Sequence, residues 1–266
     1  MFIQEIKRGL KRKTFIIAFI ILLLLGILHS VSLSRYESKQ DILNVYSNAS
    51  LFSAYDGFFL FAPSIYGKIL FVILPLINSF GYADSYLEDK QSGILKYILL
   101  RKQKGKYLCS KYFANFVISG GAVAISLLVS QIIVFLKIPS IEPNPILGAQ
   151  TICSTQMFSK VFYSHPSIYI LIWIIIMFLY SGVFASISMS LSIFIKKRTV
   201  VIMSSFMLFS ILSIILESLG KSGYNPLYFL YLYIDSNAYV IFVEVLVLFF
   251  ISFSIFFIGG SRDEIL

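Results

Sequence analysis

The sequence predicts an all-α polytopic membrane protein with six transmembrane helices in a single domain, residues 1–266. Of its residues, 58% are hydrophobic and only 13% are charged, whereas a typical soluble domain is about 25% charged. Mean hydropathy is +0.86. Six segments are also long and apolar enough to cross about 30 Å of hydrocarbon as helices, which takes about 20 residues.

The six predicted spans are separated by polar or charged stretches. They cover residues 14–33, 67–83, 112–136, 167–195, 199–216 and 239–258. The second span is the least regular, because Lys68 lies near one end and Pro75 and Asn78 lie inside it. We retain it because proline is tolerated in membrane helices. Without it, the distribution of charge between the two sides of the membrane would also lose its asymmetry.

Basic residues are unevenly distributed among the segments that connect the spans. With the N-terminus inside, five Lys and Arg residues precede the first span, seven lie in residues 84–111, three are residues 196–198, and Arg262 follows the last span. Sixteen of the 22 basic residues are then on the inner side, as the positive-inside rule requires. We expect a multi-pass protein of the cell membrane with both termini cytoplasmic. The net charge of +9 then reflects this topology, and no nucleic-acid partner is expected.

Residues that could carry redox, metal or nucleotide chemistry are scarce. Two Cys and two His are too few for a disulfide framework or for a metal site built from these residues alone. Gly220-Lys221-Ser222 resembles the end of a P-loop, but the glycine required five residues before Gly220 is replaced by Ile215. The spans contain no recognisable set of catalytic residues. We therefore expect no catalytic, metal-binding or cofactor-binding residue and no enzymatic activity in this chain.

Residues 1–13 have the pattern of an interfacial helix. Phe2, Ile6 and Leu10 fall near one helical face, and Lys7 and Arg8 lie around the rest. Each basic residue near an anionic leaflet contributes about 1 kcal/mol of binding free energy. The segment is expected to lie on the lipid bilayer and to lead into the first span, although a simple basic flank that orients insertion explains the pattern equally well.

The loop of residues 84–111 contains the pattern of an amphipathic helix outside the membrane. Its acidic and basic side chains point away from the apolar stripe. The stripe comprises Leu87, Ile94, Leu95, Ile98 and Leu99. An apolar stripe in that position requires a cover, either lipid headgroups or a partner protein.

The order of these elements resembles the permease subunits of type-2 ATP-binding-cassette (ABC) transporters, of the bacterial exporter type. The resemblance covers the whole chain in layout, and its local motif runs from Glu88 to Leu95 as Glu-Asp-Lys-Gln-Ser-Gly-Ile-Leu, followed by Leu99-Leu100 and Lys111. The chain has Gln91 where the family often has a second acid. It has Arg101-Lys102-Gln103 where the family often has a proline.

The resemblance implies a coupling helix that docks into a groove on a separate cytoplasmic ATPase subunit, which binds ATP and Mg. A second permease copy or homologue would complete the transporter. The implied cargo is hydrophobic or amphipathic, such as a peptide antibiotic or bacteriocin exported for self-protection. The residues given the docking role are Glu88, Gly93, Ile94, Leu95, Ile98 and Leu99.

Two other functions are compatible with the sequence. A stand-alone ion-coupled secondary transporter would need ionisable groups near the middle of the bilayer and would often show an internal repeat. A non-transporting immunity or assembly protein of the membrane would bind a partner without moving cargo.

Polar residues inside the predicted spans are candidates for a transport pathway or for structural hydrogen bonds. They are Asn78, Asn115, Gln131 and Glu244. A carboxylate at the centre of a bilayer costs about 2.5–3.5 kcal/mol on insertion scales. Because Glu244 lies near the outer end of its span, we expect it to reach the interface or to pair with Lys68 or Lys137 rather than to bind substrate or a proton.

Residues 220–237, between the last two spans, are apolar and rich in tyrosine, with Asn225-Pro226 among them. The segment is too short to cross the membrane twice. A re-entrant or interfacial helical pair is expected, and an aromatic belt at the outer interface is almost equally compatible.

Overall fold

Backbone amides in hydrocarbon must be satisfied without water, and helices do so within one segment. The computed structural model describes residues 1–44, 52–60, 65–143, 157–221, 224–225 and 238–262. Their helices are α1 (Phe2–Leu10), α2 (Lys13–Asn44), α3 (Ile65–Tyr82), α4 (Ser85–Gln91), α5 (Ile94–Arg101), α6 (Lys104–Lys137), α7 (Ser159–Ser164), α8 (Pro166–Leu191), α9 (Arg198–Ser218) and α10 (Ala238–Arg262).

Six of these helices, α2, α3, α6, α8, α9 and α10, are long and apolar enough to cross a membrane. Each predicted span falls on one of them, so the prediction of an all-α multi-pass membrane protein is confirmed. The span with Pro75 is α3. The third span starts about two turns earlier than predicted, because α6 begins at Lys104 and carries its basic first turns beyond the apolar run.

α8 is the central helix of the bundle, and it packs against α3, α6, α9 and α10. Its close approach to α6 depends on two glycines. A Cβ atom on Gly120 would lie 2.5 Å from the carbonyl oxygen of Phe178, and one on Gly182 would lie 2.7 Å from the ring of Phe116. Small residues of this kind let membrane helices pack at short range.

Hydroxyl groups attach α9 to the bundle. Ser79 Oγ of α3 lies 2.8 Å from Ser188 Oγ of α8 and 2.7 Å from Ser205 Oγ of α9. Ser205 Oγ also donates to the carbonyl oxygen of Pro75 at 2.9 Å. Because α9 and α10 leave most of their apolar side chains exposed, these bonds are an important part of what fixes α9 against its neighbours.

Residues 52–60 fold into one end of the bundle. Gln131 Nε2 of α6 donates to the carbonyl oxygen of Ala54 at 3.0 Å, and Nε2 of His29 lies 3.2 Å from the carbonyl oxygen of Gly57. Phe58 and Phe59 are buried in the core. Gln131, a candidate pathway residue, therefore anchors this loop.

The opposite end of the bundle carries α1, α4, α5 and residues 192–197, and we call it the basic end. Arg12, which follows α1, contacts Asp84 at 2.7 Å, and Gln91 Nε2 donates to the carbonyl oxygen of Lys196 at 2.7 Å. Three segments far apart in sequence thus meet on one side of the membrane. This is the arrangement that the charge distribution predicts for the inner loops.

The loop expected to hold one amphipathic helix instead contains two short ones. α4 ends at Gln91 and α5 begins at Ile94. The break falls at Gly93, whose φ of +73° lies in the left-handed region that glycine adopts without strain. The predicted re-entrant pair in residues 220–237 lies outside the described residues, apart from 220–221 and 224–225.

Candidate functional site

Ionised side chains from four segments interlock at the basic end of the bundle. We call this cluster the charge network. Its members are Glu5, Arg8, Arg12, Asp84, Glu88, Asp89, Lys111 and Arg198, with the hydroxyls of Tyr82 and Tyr107.

The buried half of the charge network surrounds Lys111 of α6, whose side chain has no exposed surface. Its Nζ forms ion pairs with Asp89 of α4 and, at 3.0 Å, with Glu5 of α1. Asp89 also accepts a hydrogen bond of 2.6 Å from the hydroxyl of Tyr107 and pairs with Arg8 at 2.6 Å. A buried lysine is stable only when its charge is compensated in this way.

Aromatic rings complete the surroundings of Lys111. Its Nζ lies 5.2 Å from the ring centroid of Tyr82 and 5.7 Å from that of Tyr107, within the range of cation–π attraction. The Tyr82 hydroxyl donates to Glu5. The ammonium of Lys111 and the hydroxyl of Tyr82 are thus each matched by groups from other helices.

The half-exposed part of the charge network joins α4 to the start of two spans. Arg12, next to α2, pairs with Asp84 at 2.7 Å and with Glu88. Arg198, the first residue of α9, pairs with Asp84 at 2.9 Å and with Glu88 at 3.2 Å. Asp84, which caps the start of α4, and Glu88 of α4 are therefore each shared by two arginines.

The charge network holds four acids and four bases, so its formal charge is zero. Burial lowers the pKa of Arg8, but the hydrogen bond and the charge of Asp89 outweigh burial and raise that pKa above its ordinary value. The guanidinium accordingly stays charged at any physiological pH. The chemistry that this arrangement supports is mutual charge compensation, which fixes the positions of the four segments.

The sequence of α1 is consistent with a helix that faces protein on one side and lipid on the other. Glu5 and Gly9 are its buried residues, and they lie one turn apart on the same face. Phe2 and Leu10 are exposed by 38% and 47%. Exposed apolar side chains at the end of a membrane bundle are what an interfacial helix presents to lipid.

The remaining residues predicted for α1 are distributed around this face. Arg8 joins the charge network, Lys7 is exposed and Ile6 is half-buried. The role of Glu5 was not recognised from the sequence. A single acid among five bases, four residues before a glycine, is the signal that could have identified it.

The residues predicted to dock a partner do not all reach the surface. Glu88 belongs to the charge network, and Leu95 is buried, with 2% of its surface exposed. Leu95 is therefore a core residue, and its docking role stays a prediction. Ile98 and Leu99 are half-buried.

The exposed apolar surface of α5 consists of Ile94, Tyr97 and Leu100, with exposed fractions of 43%, 73% and 83%. We call these three residues the α5 surface. Only Ile94 was among the predicted docking residues, because the break at Gly93 rotates the stripe relative to one continuous helix. A cavity of about 510 Å³ separates α5 from Gln4 and Glu5 of α1.

The polar residues inside the spans take different positions. Asn78 and Asn115 are buried, and within the described part of the chain their side-chain amides have no hydrogen-bond partner. Glu244 accepts a hydrogen bond of 3.2 Å from the hydroxyl of Tyr180 on α8. The expected pairing with Lys68 or Lys137 is not found among the ion pairs of the described residues, and Glu244 instead faces Tyr180.

Fold and charge network together define a class: a six-span α-helical membrane protein with a compensated ionic cluster at one end. No protein-family model matches the chain. No curated protein matches it significantly.

Proposed function

We propose that this chain is the membrane-spanning permease subunit of an ABC exporter. A separate ATPase subunit would bind ATP with Mg²⁺ and hydrolyse the ATP to drive transport. The observation that carries the proposal is the charge network, which attaches the α4–α5 pair to four other parts of the bundle. Through its capping residue Asp84 and through Glu88 and Asp89, α4 is tied to α1, to the start of α2, to α6 and to the start of α9.

Because of this attachment, a displacement of α4 and α5 would move the spans to which they are bonded. α4 and α5 are separated by only two residues, and α4 follows α3 directly, through the two residues 83–84. A force on α5 is therefore delivered to several spans at once. Small displacements of rigidly packed elements are a common way for a ligand-driven change to reach a distant site.

The α5 surface is the place where an ATPase would dock. Ile94, Tyr97 and Leu100 project from the basic end, where exposed apolar side chains require a cover. The cavity between α1 and α5 gives a docking element of the partner room to enter beside them. In this proposal the basic end faces the cytosol, as the distribution of Lys and Arg predicts.

The transported substrate is proposed to be hydrophobic or amphipathic, such as a peptide antibiotic or bacteriocin removed for self-protection. The described parts of the spans offer mostly apolar side chains to the membrane. A second copy of the chain, or a homologue, would form the other wall of the pathway.

The test is co-purification of the full chain with co-expressed candidate ABC ATPase subunits in mild detergent. The variant Tyr97→Asp, Leu100→Asp alters the two most exposed residues of the α5 surface without disturbing the core. Lys106→Asp, an exposed residue at the start of α6, is the control for added negative charge. The wild type and the control should retain the ATPase, and the double variant should lose at least nine-tenths of it.

An ATPase that remains bound to the double variant would contradict docking on the α5 surface. If no ATPase binds the wild type, the permease proposal fails. A stand-alone ion-coupled carrier or a non-transporting immunity protein would then become the better hypothesis.

A further inference from the structure

An apolar groove runs along the surface of the bundle between α9 and α10. Both helices pack on α8, from two sides, with little contact between themselves. The groove has a volume of about 340 Å³, and Leu191, Leu208, Leu212, Ile251 and Ile255 are among the residues that line it.

The polar atoms in the walls of the groove are already bonded within the protein. Ser190 Oγ donates to the carbonyl oxygen of Ile187 at 2.7 Å. Ser252 Oγ donates to that of Phe249 at 3.0 Å and contacts the hydroxyl of Tyr112. Because apolar cavities of this kind do not hold water, the groove is suited to a hydrocarbon chain.

Two lysines lie on the connection that continues from the wall of this groove toward the basic end. Leu191, in its wall, is the last residue of α8, and residues 192–197 then cross from α8 to α9. On the way, Ile193 and Phe194 pass close to Gly259 of α10, where a Cβ atom would lie 3.1 Å from Cδ1 of Ile193 and 3.8 Å from the ring of Phe194. Lys196 and Lys197 are both exposed, and in the part of the chain that the structure describes neither forms an ion pair.

We propose that the groove binds an anionic phospholipid, with one acyl chain along α8, α9 and α10 and the phosphate on Lys196 and Lys197. The bilayer supplies acyl chains directly to a groove that opens on its hydrocarbon. Basic residues at the edge of a span favour anionic over zwitterionic headgroups. Arg198, the next residue, is engaged by Asp84 and Glu88, so the lipid charge falls to the two lysines. The proposal does not depend on an ATPase partner.

The experiment is native mass spectrometry of the full chain, titrated with phosphatidylglycerol or phosphatidylcholine of identical acyl chains. One variant, Lys196→Ser, Lys197→Ser, removes the headgroup contacts. Its control, Lys102→Ser, Lys106→Ser, removes two exposed charges, one from the connection between α5 and α6 and one from the start of α6. A second variant, Leu212→Trp, fills the groove. Its control, Met207→Trp, places the same ring on an exposed position of α9 outside the groove.

The wild type should bind phosphatidylglycerol about thirtyfold more tightly than phosphatidylcholine, because each lysine near an anionic group contributes about fivefold. The double lysine variant should lose most of this preference, and Leu212→Trp should weaken the binding of both lipids. Both controls should behave as the wild type.

Equal binding of the two lipids by the wild type would overturn the proposal. Undiminished binding of phosphatidylglycerol by the lysine variant would also overturn it. If Leu212→Trp does not fold, the result with the lysine variant alone tests the proposal. If Leu212→Trp converts a dimer to a monomer while lipid binding stays the same, the groove belongs to a second copy of the chain instead.

Discussion

Lys111 is a lysine whose side chain is fully buried in the bundle. Desolvating an ammonium costs several kcal/mol, which only close counter-charges and hydrogen bonds offset. Asp89 and Glu5 supply the counter-charges, and both come from segments outside α6. The position of α1 and the position of α4 therefore depend on the same ammonium group.

The dependence predicts a specific mutant cycle. Lys111→Met alone should lower the free energy of unfolding by about 3–5 kcal/mol, since it leaves Asp89 buried without its main partner. Adding Asp89→Asn removes the stranded charge and leaves Glu5 to pair with Arg8, so most of the loss should be recovered. Denaturation of the detergent-solubilised protein measures the free energy of unfolding of Lys111→Met, of Asp89→Asn and of the double variant. A double-variant effect equal to the sum of the two single effects would contradict this account.

Asp56, at the other end of the molecule, is a buried acid of a different kind. Burial raises its pKa to about 6, against the opposing effect of the hydrogen bond from the backbone N–H of Ser53. The folded protein thus keeps this proton to a higher pH than the unfolded chain, whose value is near 3.8. Stability is therefore lost as the pH rises from about 4 to 6.

We expect Asp56→Asn to remove this pH dependence. The variant should be more stable than the wild type at pH 7, by at most about 3 kcal/mol, and equally stable at pH 4. Glu142→Gln, an exposed acid of the connection after α6, should change neither value. Thermal unfolding at the two pH values measures the difference, and a parallel offset at both would indicate a cause other than titration.

At the scale of elements, the contact between α6 and α8 predicts opposite effects at two adjacent glycines. A Cβ on Gly120 meets the backbone of Phe178, whereas one on Gly121 meets nothing within 4 Å. Gly120→Ala should destabilise the protein by about 1–3 kcal/mol, because the helices must separate. Gly121→Ala should be neutral or stabilise it by up to about 1 kcal/mol through helix propensity. Unfolding in detergent separates the two, and similar losses would mean that the interface is not rigid.

The division of residues 84–111 into α4 and α5 shows where periodicity alone fails as a predictor. Ile94, Leu95, Ile98 and Leu99 fit one helical stripe with Leu87 when the helix is assumed to continue. Gly93 interrupts it, and a glycine in such a stretch is compatible with either outcome until tertiary contacts decide. Asp89, expected to point away from the stripe, is then carried inward to Lys111.

For the molecule as a whole, the positive-inside rule predicts which side each end of the bundle occupies. After replacement of the native cysteines by serine, Lys11→Cys and Lys102→Cys at the basic end should resist a membrane-impermeant maleimide in intact cells. Lys160→Cys, exposed at the start of α7, should be labelled under the same conditions. The reverse pattern would invert the topology. Labelling of all three after the membrane is permeabilised is the control.

The fold was more accessible from sequence than the site, for a physical reason. A span is specified by about 20 consecutive residues, so even α3 with Pro75 and Asn78 was found. The charge network is specified by pairs such as Arg12 with Asp84 or Lys111 with Glu5, which only the packing of separate helices brings together. Glu244 illustrates the same limit, because its partner Tyr180 lies on another helix at a matching depth.

The charge network also constrains the order in which the molecule can be assembled during synthesis. Its ion pairs connect the first twelve residues to Arg198, so the network stays incomplete until the ribosome has passed the fourth span. Until then Asp84 and Glu88 each lack one of their two arginines, and water must solvate the carboxylate oxygens that Arg198 later contacts. The docking of α9 is thus the step that gives Asp84 and Glu88 their second arginine and fixes the junction.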